Sequence, residues 1–275
     1  MQHVCINQAQ ANILGEISMA LLKVERVSKN FGGLAALSEV EVEVSGSELL
    51  GIIGPNGAGK STLFNVITGI YRADGGSILF EGEDITRLRP DQIARRGIAM
   101  TFQQSLLYMR ATCFDNVLMG FHARYKQPKW KDFLQTRAAQ NEDEVVRQEV
   151  MEILEFWGLA SLRDELALNL PHGSQRALGI CIALATKPKL VLLDEPFTGM
   201  TLTETATMMG KVRQLRERGI TVVTVEHNMR AIMGLCERIV VLNFGRNIAE
   251  GSPQEIRENA EVIEAYLGRE EQHAA

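Results

Sequence analysis

The sequence predicts an α/β fold with a mainly parallel sheet, an antiparallel β subdomain and an inserted helical subdomain. Residues Leu49–Ile53 form an apolar run without alternation that leads into a glycine-rich loop, which is typical of a parallel strand buried on both faces. Residues Ser38–Val44 alternate apolar and polar side chains, which indicates a half-buried antiparallel strand. Residues 106–186 are rich in helix formers, and apolar strands alternate with helices after them.

The composition is that of a globular protein, with 275 residues, 45% apolar and 23% charged, and a net charge of −5. These values exclude a disordered, collagen-like or disulfide-rich chain, and the length supports one large domain. The mild acidity argues against a protein that holds nucleic acid by an overall basic field, so no nucleic-acid partner is expected. The longest apolar stretch, Leu178–Ala185, is too short to cross a bilayer, and the four scattered cysteines predict no zinc site.

The elements of the first half begin after an N-terminal extension. Residues 1–18 lack both a basic start and a sustained apolar run, so we expect no signal peptide there, but either a disordered extension or a misassigned start. The domain is expected to span residues 19–275. Period-2 alternation predicts a first strand at Leu21–Val27, and Ser77–Glu81 is a further strand that follows a turn at residues 73–76.

The second half combines helices with apolar strands. Apolar residues at helical spacing predict a helix over Asp143–Trp157, inside a helical subdomain that spans about residues 106–186. Three further apolar, bounded segments predict strands: Leu190–Leu193, Ile220–Val225 and Ile239–Leu242. The last helix is expected to begin with a capping box between Ser252 and Glu255.

A phosphate-binding loop follows the strand Leu49–Ile53. The match to G-x-x-x-x-G-K-[ST] consists of Gly54, Pro55, Asn56, Gly57, Ala58, Gly59, Lys60, Ser61 and Thr62. Glycines let successive N–H groups point at one anion, and the following helix adds the positive end of its dipole. In this motif Lys60 reaches the β- and γ-phosphates, and the Ser61 hydroxyl holds Mg²⁺. A flexible turn with a stray lysine is the alternative, but the strand before it and the helix after it favour a P-loop ATPase core.

Two carboxylates, Asp194 and Glu195, emerge at the end of the buried strand Leu190–Leu193. Open α/β sheets bind ligands at the carboxyl ends of their strands. Asp194 is therefore a candidate for the Mg²⁺ shell, and Glu195 is a candidate to polarise a water for in-line attack on the γ-phosphate. A solvent-facing acidic strand end is the alternative, and the phosphate loop makes it the weaker one.

Two further segments are ambiguous on their own. His227 follows the strand Ile220–Val225, so its imidazole is a candidate to reach the γ-phosphate, whereas a lone histidine at a strand end is usually structural. Residues Leu170, Pro171, His172, Gly173 and Ser174 indicate a loop and cap that lead into a helix N-terminus. An ordinary helix start is the simpler interpretation of that segment.

Together these motifs resemble the ATP-binding subunits of ABC transporters, in order and approximate spacing, over nearly all of residues 19–275. The resemblance implies that Phe31 stacks on adenine, although a lone phenylalanine is more often a core residue. It implies that Gln103 senses Mg²⁺ and the attacking water, with Gln104 as a rival for that role. Lys60, Gln103, Glu195 and His227 would then be catalytic, and the Mg²⁺ that accompanies ATP would be held through Ser61, Gln103 and Asp194.

The chain departs from the family pattern at two places. The family signature is commonly Leu-Ser-Gly-Gly-Gln and completes the partner subunit's site, whereas this chain keeps Leu170 and Gly173 but has Pro171, His172 and Ser174. Proline removes both a hydroxyl and an N–H donor. Thr201 also stands where the family usually has an aspartate. We therefore expect an asymmetric pair of ATP sites if the partner is a different chain.

Within the family the chain resembles the LivG-like branch, the importers of branched-chain amino acids. The resemblance is carried by the long stretch after Gln103 that includes His122–Asn141, by residues 175–178 after the variant signature, and by residues 241–245 and 262–268. It implies an ATP hydrolase that couples MgATP-driven dimer closure to movement of membrane permeases. The implied partners are a second ATP-binding subunit, two transmembrane permeases and, indirectly, an extracytoplasmic solute-binding protein, with the chain peripheral on the cytoplasmic face of the membrane.

Other functions stay open from the sequence. Related importers for urea, short amides or other amino acids share much of the pattern. A soluble ABC-type ATPase of translation or DNA repair usually carries two ATP domains in tandem, and a binding-only regulatory subunit is disfavoured by the intact Glu195 and His227. An apolar cluster at residues 106–109 is expected either to line a permease-docking groove or to pack in the core.

Overall fold

The computed structural model describes residues 20–101, 107–121 and 137–267. Side chains are described throughout the first two ranges, and from residue 143 to residue 266 in the third. The expectations for residues 1–18, for Gln103 and Gln104, and for most of His122–Asn141 lie outside the described residues. None of the helices in these ranges is long and apolar enough to cross a membrane.

The antiparallel subdomain is a four-stranded sheet in the order β2-β1-β4-β5. Its strands are β1 (Leu22–Phe31), β2 (Leu34–Val44), β4 (Gly75–Phe80) and β5 (Glu83–Asp84). The predicted alternation is confirmed, because Val40, Val42 and Val44 are buried. Both β1 and β2 extend further toward their hairpin than the period-2 pattern predicts, because register shifts after Val24 and Val27 interrupt the alternation. The predicted turn at residues 73–76 is also too long, since β4 begins at Gly75.

The second sheet has six strands in the order β10-β9-β3-β8-β7-β6. Its strands are β3 (Leu49–Ile53), β6 (Ile98–Thr101), β7 (Leu190–Asp194), β8 (Thr221–Val225), β9 (Arg238–Asn243) and β10 (Arg246–Gly251). All neighbouring pairs are parallel except β9 and β10. Every residue of β3, β7 and β8 is buried, as expected for strands covered on both faces. The edge strand β6 has only four residues, and the sequence pattern does not predict it.

Helices cover both faces of this sheet. They are α1 (Lys60–Ile67), α2 (Pro90–Arg96), α3 (Cys113–Phe121), α4 (Arg137–Trp157), α5 (His172–Ala185), α6 (Leu202–Glu217), α7 (Met229–Leu235), α8 (Pro253–Glu258) and α9 (Ala260–Leu267). One hydrophobic cluster joins α3, α4 and α5 to one face of the sheet, and a second joins the antiparallel subdomain and α1 to the other face. The capping box at Ser252 and Glu255 is confirmed at the start of α8.

The topology brings three loops to one edge of the six-stranded sheet. The strand β8 lies between β3 and β7, with Val225 level with both Ile52 and Asp194. The carboxyl ends of these three strands therefore lie side by side. The phosphate loop leaves the first strand, the two predicted carboxylates end the second, and His227 follows the third.

Candidate active site

The phosphate loop adopts a backbone that requires glycine. Gly57 and Gly59 have φ values of 81° and 102°, in the region that favours glycine, and Gly59 is the N-cap of α1. A side chain at Gly54 would meet the Leu242 carbonyl oxygen at 2.1 Å, so only glycine fits beside β9. The buried Lys60 ammonium donates to the carbonyl oxygens of Gly54 at 2.7 Å and Pro55 at 3.0 Å, which folds this side chain back over the loop.

Asp194 ends β7 as a buried carboxylate that is 6% exposed. Its Oδ1 atom is buried and has no hydrogen-bond partner among the described residues. Burial raises the pKa of Asp194 to about 6, the Glu195 charge adds to the rise, and the charges of His227, Lys60 and Arg176 oppose it. An unpaired buried carboxylate oxygen next to a phosphate loop is the chemistry that a hard cation such as Mg²⁺ accepts.

The described residues fit a nucleotide-borne Mg²⁺ better than a metal caged by protein alone. No group of three or more histidine, cysteine, aspartate or glutamate side chains with metal-binding geometry occurs in the described ranges. Mg²⁺ is usually held by one or two carboxylates together with substrate phosphates. Asp194 and the exposed Ser61 are the donors available on the described side of the site, and Gln103 lies outside the described residues.

Glu195 and His227 are brought into direct contact. The Oε1 atom of Glu195 contacts Nε2 of His227, and the Oε2 atom accepts from the Thr198 hydroxyl at 3.3 Å. Glu195 is 7% exposed, whereas the His227 side chain is 45% exposed, so the imidazole stands between the buried carboxylate and solvent. The backbone of Glu195 has φ 48°, an uncommon value for a residue other than glycine, and its N–H donates to the Val225 carbonyl at 2.9 Å.

Glu226 is a buried acid of this region to which the sequence analysis assigns no role. It is 1% exposed, its Oε1 atom accepts from the Phe197 N–H at 2.7 Å, and its Oε2 atom accepts from the His227 N–H at 3.2 Å. Burial raises the pKa of Glu226 above the usual value for glutamate, although the N–H groups oppose this rise. The available sequence signal was an acid directly after a mainly apolar strand, where a carboxylate has to find partners.

Phe31 lies at the end of β1 with 42% of its surface exposed. Its ring packs edge to face with that of Tyr71, at a centroid distance of 5.1 Å and an interplanar angle of 77°. The Lys29 ammonium lies 5.4 Å from the ring centre. The ring is therefore held in place but is not a core residue, and such a surface is suited to stacking on an aromatic base.

The segment Leu170–Ser174 forms the start of α5, as the pattern predicts. Pro171 is the N-cap residue, His172 begins the helix, and the Gln175 amide donates to the Leu170 carbonyl at 3.0 Å. Thr201, the second departure, is the N-cap of α6 and forms a capping box with Glu204. Threonine thus provides the helix cap that an aspartate at this position would also provide.

Comparisons with known proteins agree with this geometry. The sequence model described as "ABC transporter" matches residues 37–198, and that described as "Branched-chain amino acid ATP-binding cassette transporter" matches residues 246–272. The branched-chain amino acid transport ATP-binding protein LivG of Escherichia coli K12 is 37% identical, and BraF of Pseudomonas aeruginosa is 36% identical. LptB, a lipopolysaccharide export ATP-binding protein of Haemophilus influenzae, is 32% identical. Each alignment covers 92% of this chain and 99% of the relative.

Solved structures show the same relationship. A nucleotide-free ATP-binding cassette from an ABC transporter is 32% identical in sequence, with a TM-score of 0.80. The alignment covers 90% of this chain and 99% of the chain of that structure. A cassette solved in its ADP conformation has the same identity and TM-score, and covers 91% of this chain and 99% of its own. The chain therefore belongs to the ABC transporter family, as one of its ATP-binding subunits.

Proposed function

We propose that the chain is the ATP-hydrolysing subunit of an importer for branched-chain amino acids, where closure of an ATPase dimer moves two membrane permeases. The observation that carries the proposal is the meeting of Asp194, Glu195 and His227 beside the phosphate loop at one sheet edge. The names of the most similar relatives and the match to residues 246–272 support the choice of solute.

In the proposed mechanism, ATP binds with its phosphates on residues 54–62. Lys60 exchanges its bonds to the Gly54 and Pro55 carbonyl oxygens for bonds to the β- and γ-phosphate oxygens. The adenine stacks on the exposed ring of Phe31. Asp194, Ser61 and Gln103 are the residues that would hold the Mg²⁺ bound with ATP, which would neutralise charge developing on the phosphates.

Hydrolysis needs a water aligned with the γ-phosphorus atom. Glu195 orients this water and takes its proton, as the water oxygen bonds to the γ-phosphorus and the bond to the β–γ bridging oxygen breaks. His227 contacts Glu195, and 45% of its side chain is exposed, so we propose that it positions the carboxylate and donates to the γ-phosphate.

The second half of each site is proposed to come from a partner ATP-binding subunit. Dimeric cassettes are known among the structural neighbours. The segment Leu170–Ser174 begins a helix whose first N–H groups are unpaired within the helix, and these groups are suited to a partner's phosphate. Pro171 lacks an N–H, and His172 and Ser174 replace the usual residues. If the partner is a different chain, its ATP site is therefore expected to turn over at a different rate from the site of this chain.

We propose that a permease docks in a groove beside β6, and that the chain is therefore peripheral on the cytoplasmic face of a membrane. Its volume is about 420 Å³, and it lies between α2, α3, α5 and β6. Tyr108, which is 59% exposed, and Met119, which is 36% exposed, line it. Of the predicted apolar cluster, Leu107 packs against the core instead, and residue 106 lies outside the described residues. An extracytoplasmic solute-binding protein would act on the permeases and not on this chain.

The test is capture of the assembled transporter from native membranes. Tagged Glu195→Gln protein is incubated with ATP, which holds the closed dimer, and co-purified chains are identified by mass spectrometry. Two polytopic permeases together with a second ATP-binding chain are expected, and uptake of labelled leucine in cells that lack the captured permeases then tests the solute. Capture of lipopolysaccharide-export components, of ribosomes or of no membrane protein would overturn the proposal.

A further inference from the structure

We propose that Glu226 is a positioning residue that holds the catalytic Glu195 segment and His227 in one geometry. The proposal rests on the proposed function, because it assumes that Glu195 and His227 act on the attacking water and the γ-phosphate. The motif pattern assigns no role to Glu226, and its carboxylate contacts the backbone of Phe197, which is 29 residues away in sequence.

The carboxylate of Glu226 ties two loops together through backbone donors. Phe197 belongs to the loop after β7, and its N–H donates to Glu226 Oε1 at 2.7 Å. His227 belongs to the loop after β8, and its N–H donates to Glu226 Oε2 at 3.2 Å. The side chain is 1% exposed, so water does not compete for these bonds, and charge-assisted bonds of this kind are stronger than neutral ones.

The loop that Glu226 holds is the one with uncommon backbone geometry. Glu195 has φ 48°, and its N–H bonds to the Val225 carbonyl at 2.9 Å. Two residues later, Phe197 is anchored on Glu226, so both sides of the turn are tied to the end of β8. A residue keeps such a conformation only when its surroundings fix it, and here the surroundings are supplied by Val225 and Glu226.

The same contacts exclude a direct chemical role for Glu226. Both carboxylate oxygens are engaged by N–H groups, and the side chain has almost no access to solvent or to a substrate. Glu195 and His227 already contact each other at the open side of the site. Glu226 therefore acts through the placement of these two residues, and its loss alters the chemical step more than ATP binding.

The substitution Glu226→Gln separates this role from simple occupancy of space. In the wild-type protein each carboxylate oxygen accepts one backbone N–H, from Phe197 or from His227. Glutamine has nearly the same shape, but only its carbonyl oxygen can accept, and its NH₂ group would face the other N–H as a second donor. One of the two loops therefore loses its anchor. The matched control is Glu217→Gln, at an exposed glutamate in the last turn of α6.

The experiment compares ATP hydrolysis by the full-length variants. For Glu226→Gln we expect kcat to fall about 10- to 100-fold, because catalytic groups displaced by up to about 1 Å lose activity of this order. KM for ATP should change less than about twofold. The Glu217→Gln control keeps both values. In a Glu195→Gln background, measured in single turnovers over hours, adding Glu226→Gln should lower the residual rate less than it lowers the wild-type kcat, because one of the two residues that Glu226 positions is already lost.

Amide hydrogen exchange gives a second readout that does not depend on activity. In Glu226→Gln, protection of the Phe197 or His227 amide is expected to fall while that of β3 and α1 stays unchanged. An unchanged kcat, a loss confined to KM, additive effects with Glu195→Gln, or unchanged protection of both amides would each overturn the inference. Absence of hydrolysis in the wild-type chain would instead count against the proposed function, and the exchange experiment would still decide the role of Glu226.

Discussion

At the scale of single residues, Asp194 shows how a functional group is kept at a cost to the folded state. Its Oδ1 atom is buried without a partner among the described residues, and burial raises the pKa of the carboxyl to about 6 from a usual value of 3.8. The unfolded chain releases this proton at a lower pH than the folded chain does. The contribution of Asp194 to the free energy of unfolding therefore decreases as the pH rises from about 4 to 6, and it stays at the lower value above pH 6.

The substitution Asp194→Asn is expected to stabilise the nucleotide-free protein while it impairs hydrolysis. At pH 7.5 the free energy of unfolding should rise by about 1 to 3 kcal/mol, because the buried negative charge is removed. The gain should shrink as the pH falls toward 4, where Asp194 of the folded wild-type protein is protonated and that of the unfolded chain is about half protonated. Urea unfolding at pH 7.5 and pH 4.5 measures this difference, and an equal gain at both values would contradict the assigned cause.

The substitution Glu195→Gln is expected to separate binding from chemistry. Removal of a group that takes a proton from water costs about 10² to 10⁴ in kcat. ATP affinity should change little, since the phosphate loop is unaltered and Lys60 keeps its bonds to the Gly54 and Pro55 carbonyl oxygens. Phosphate release and binding of a fluorescent ATP analogue measure the two effects, with His227→Gln as a companion variant. Retained hydrolysis in Glu195→Gln would exclude this glutamate as the base.

At the scale of elements, α3 and α5 approach so closely that glycine is required between them. A Cβ atom at Gly120 would lie 2.6 Å from the Ile182 carbonyl oxygen and 2.8 Å from the Ala185 Cβ. The backbone atom cannot retreat as a flexible side chain can. Alanine is a better helix former than glycine, but here the overlap outweighs that preference.

The pair Gly120→Ala and Gly210→Ala is expected to change stability in opposite directions. Gly120→Ala should lower the free energy of unfolding by about 1 to 2 kcal/mol through overpacking. Gly210 lies within α6, and a Cβ atom there would have no atom of the described residues within 4 Å beyond its own helix backbone and chain neighbours. Gly210→Ala should therefore raise the free energy of unfolding by about 0.5 to 1 kcal/mol. Thermal unfolding of both variants checks this, and a stabilised Gly120→Ala would show that the helices can separate at little cost.

The elements also show which parts of the fold a sequence pattern can predict. The strand β3 was predicted with its bounds, because a non-alternating apolar run that meets a glycine loop has few other interpretations. The short α2 and β6 were missed, since four or seven residues carry too little periodicity and β6 is held by its pairing with β7. At the site, motif residues were predictable from their types, whereas Glu226 was not, because its role depends on a contact with Phe197 29 residues away.

At the scale of the whole molecule, the six-stranded sheet is the middle layer between two hydrophobic clusters. The phosphate loop and α1 belong to the side of the antiparallel subdomain, whereas the signature helix α5 belongs to the helical side. The strands that separate the two sides end at the catalytic edge. Both hydrophobic clusters therefore border the strands that carry the proposed catalytic residues.

The final prediction concerns this groove. Introducing a charge into its apolar lining with Tyr108→Glu or Met119→Glu is expected to abolish co-purification with the permeases, because a desolvated carboxylate at an apolar interface is strongly unfavourable. ATP binding by the isolated variants should stay within about twofold of wild type, since neither residue is among those assigned to the nucleotide. The matched control is Val145→Glu, at an apolar residue of α4 that is 53% exposed and lies outside the groove lining. Permease capture that survives both groove variants, or that is lost equally in Val145→Glu, would place the docking site elsewhere on the molecule.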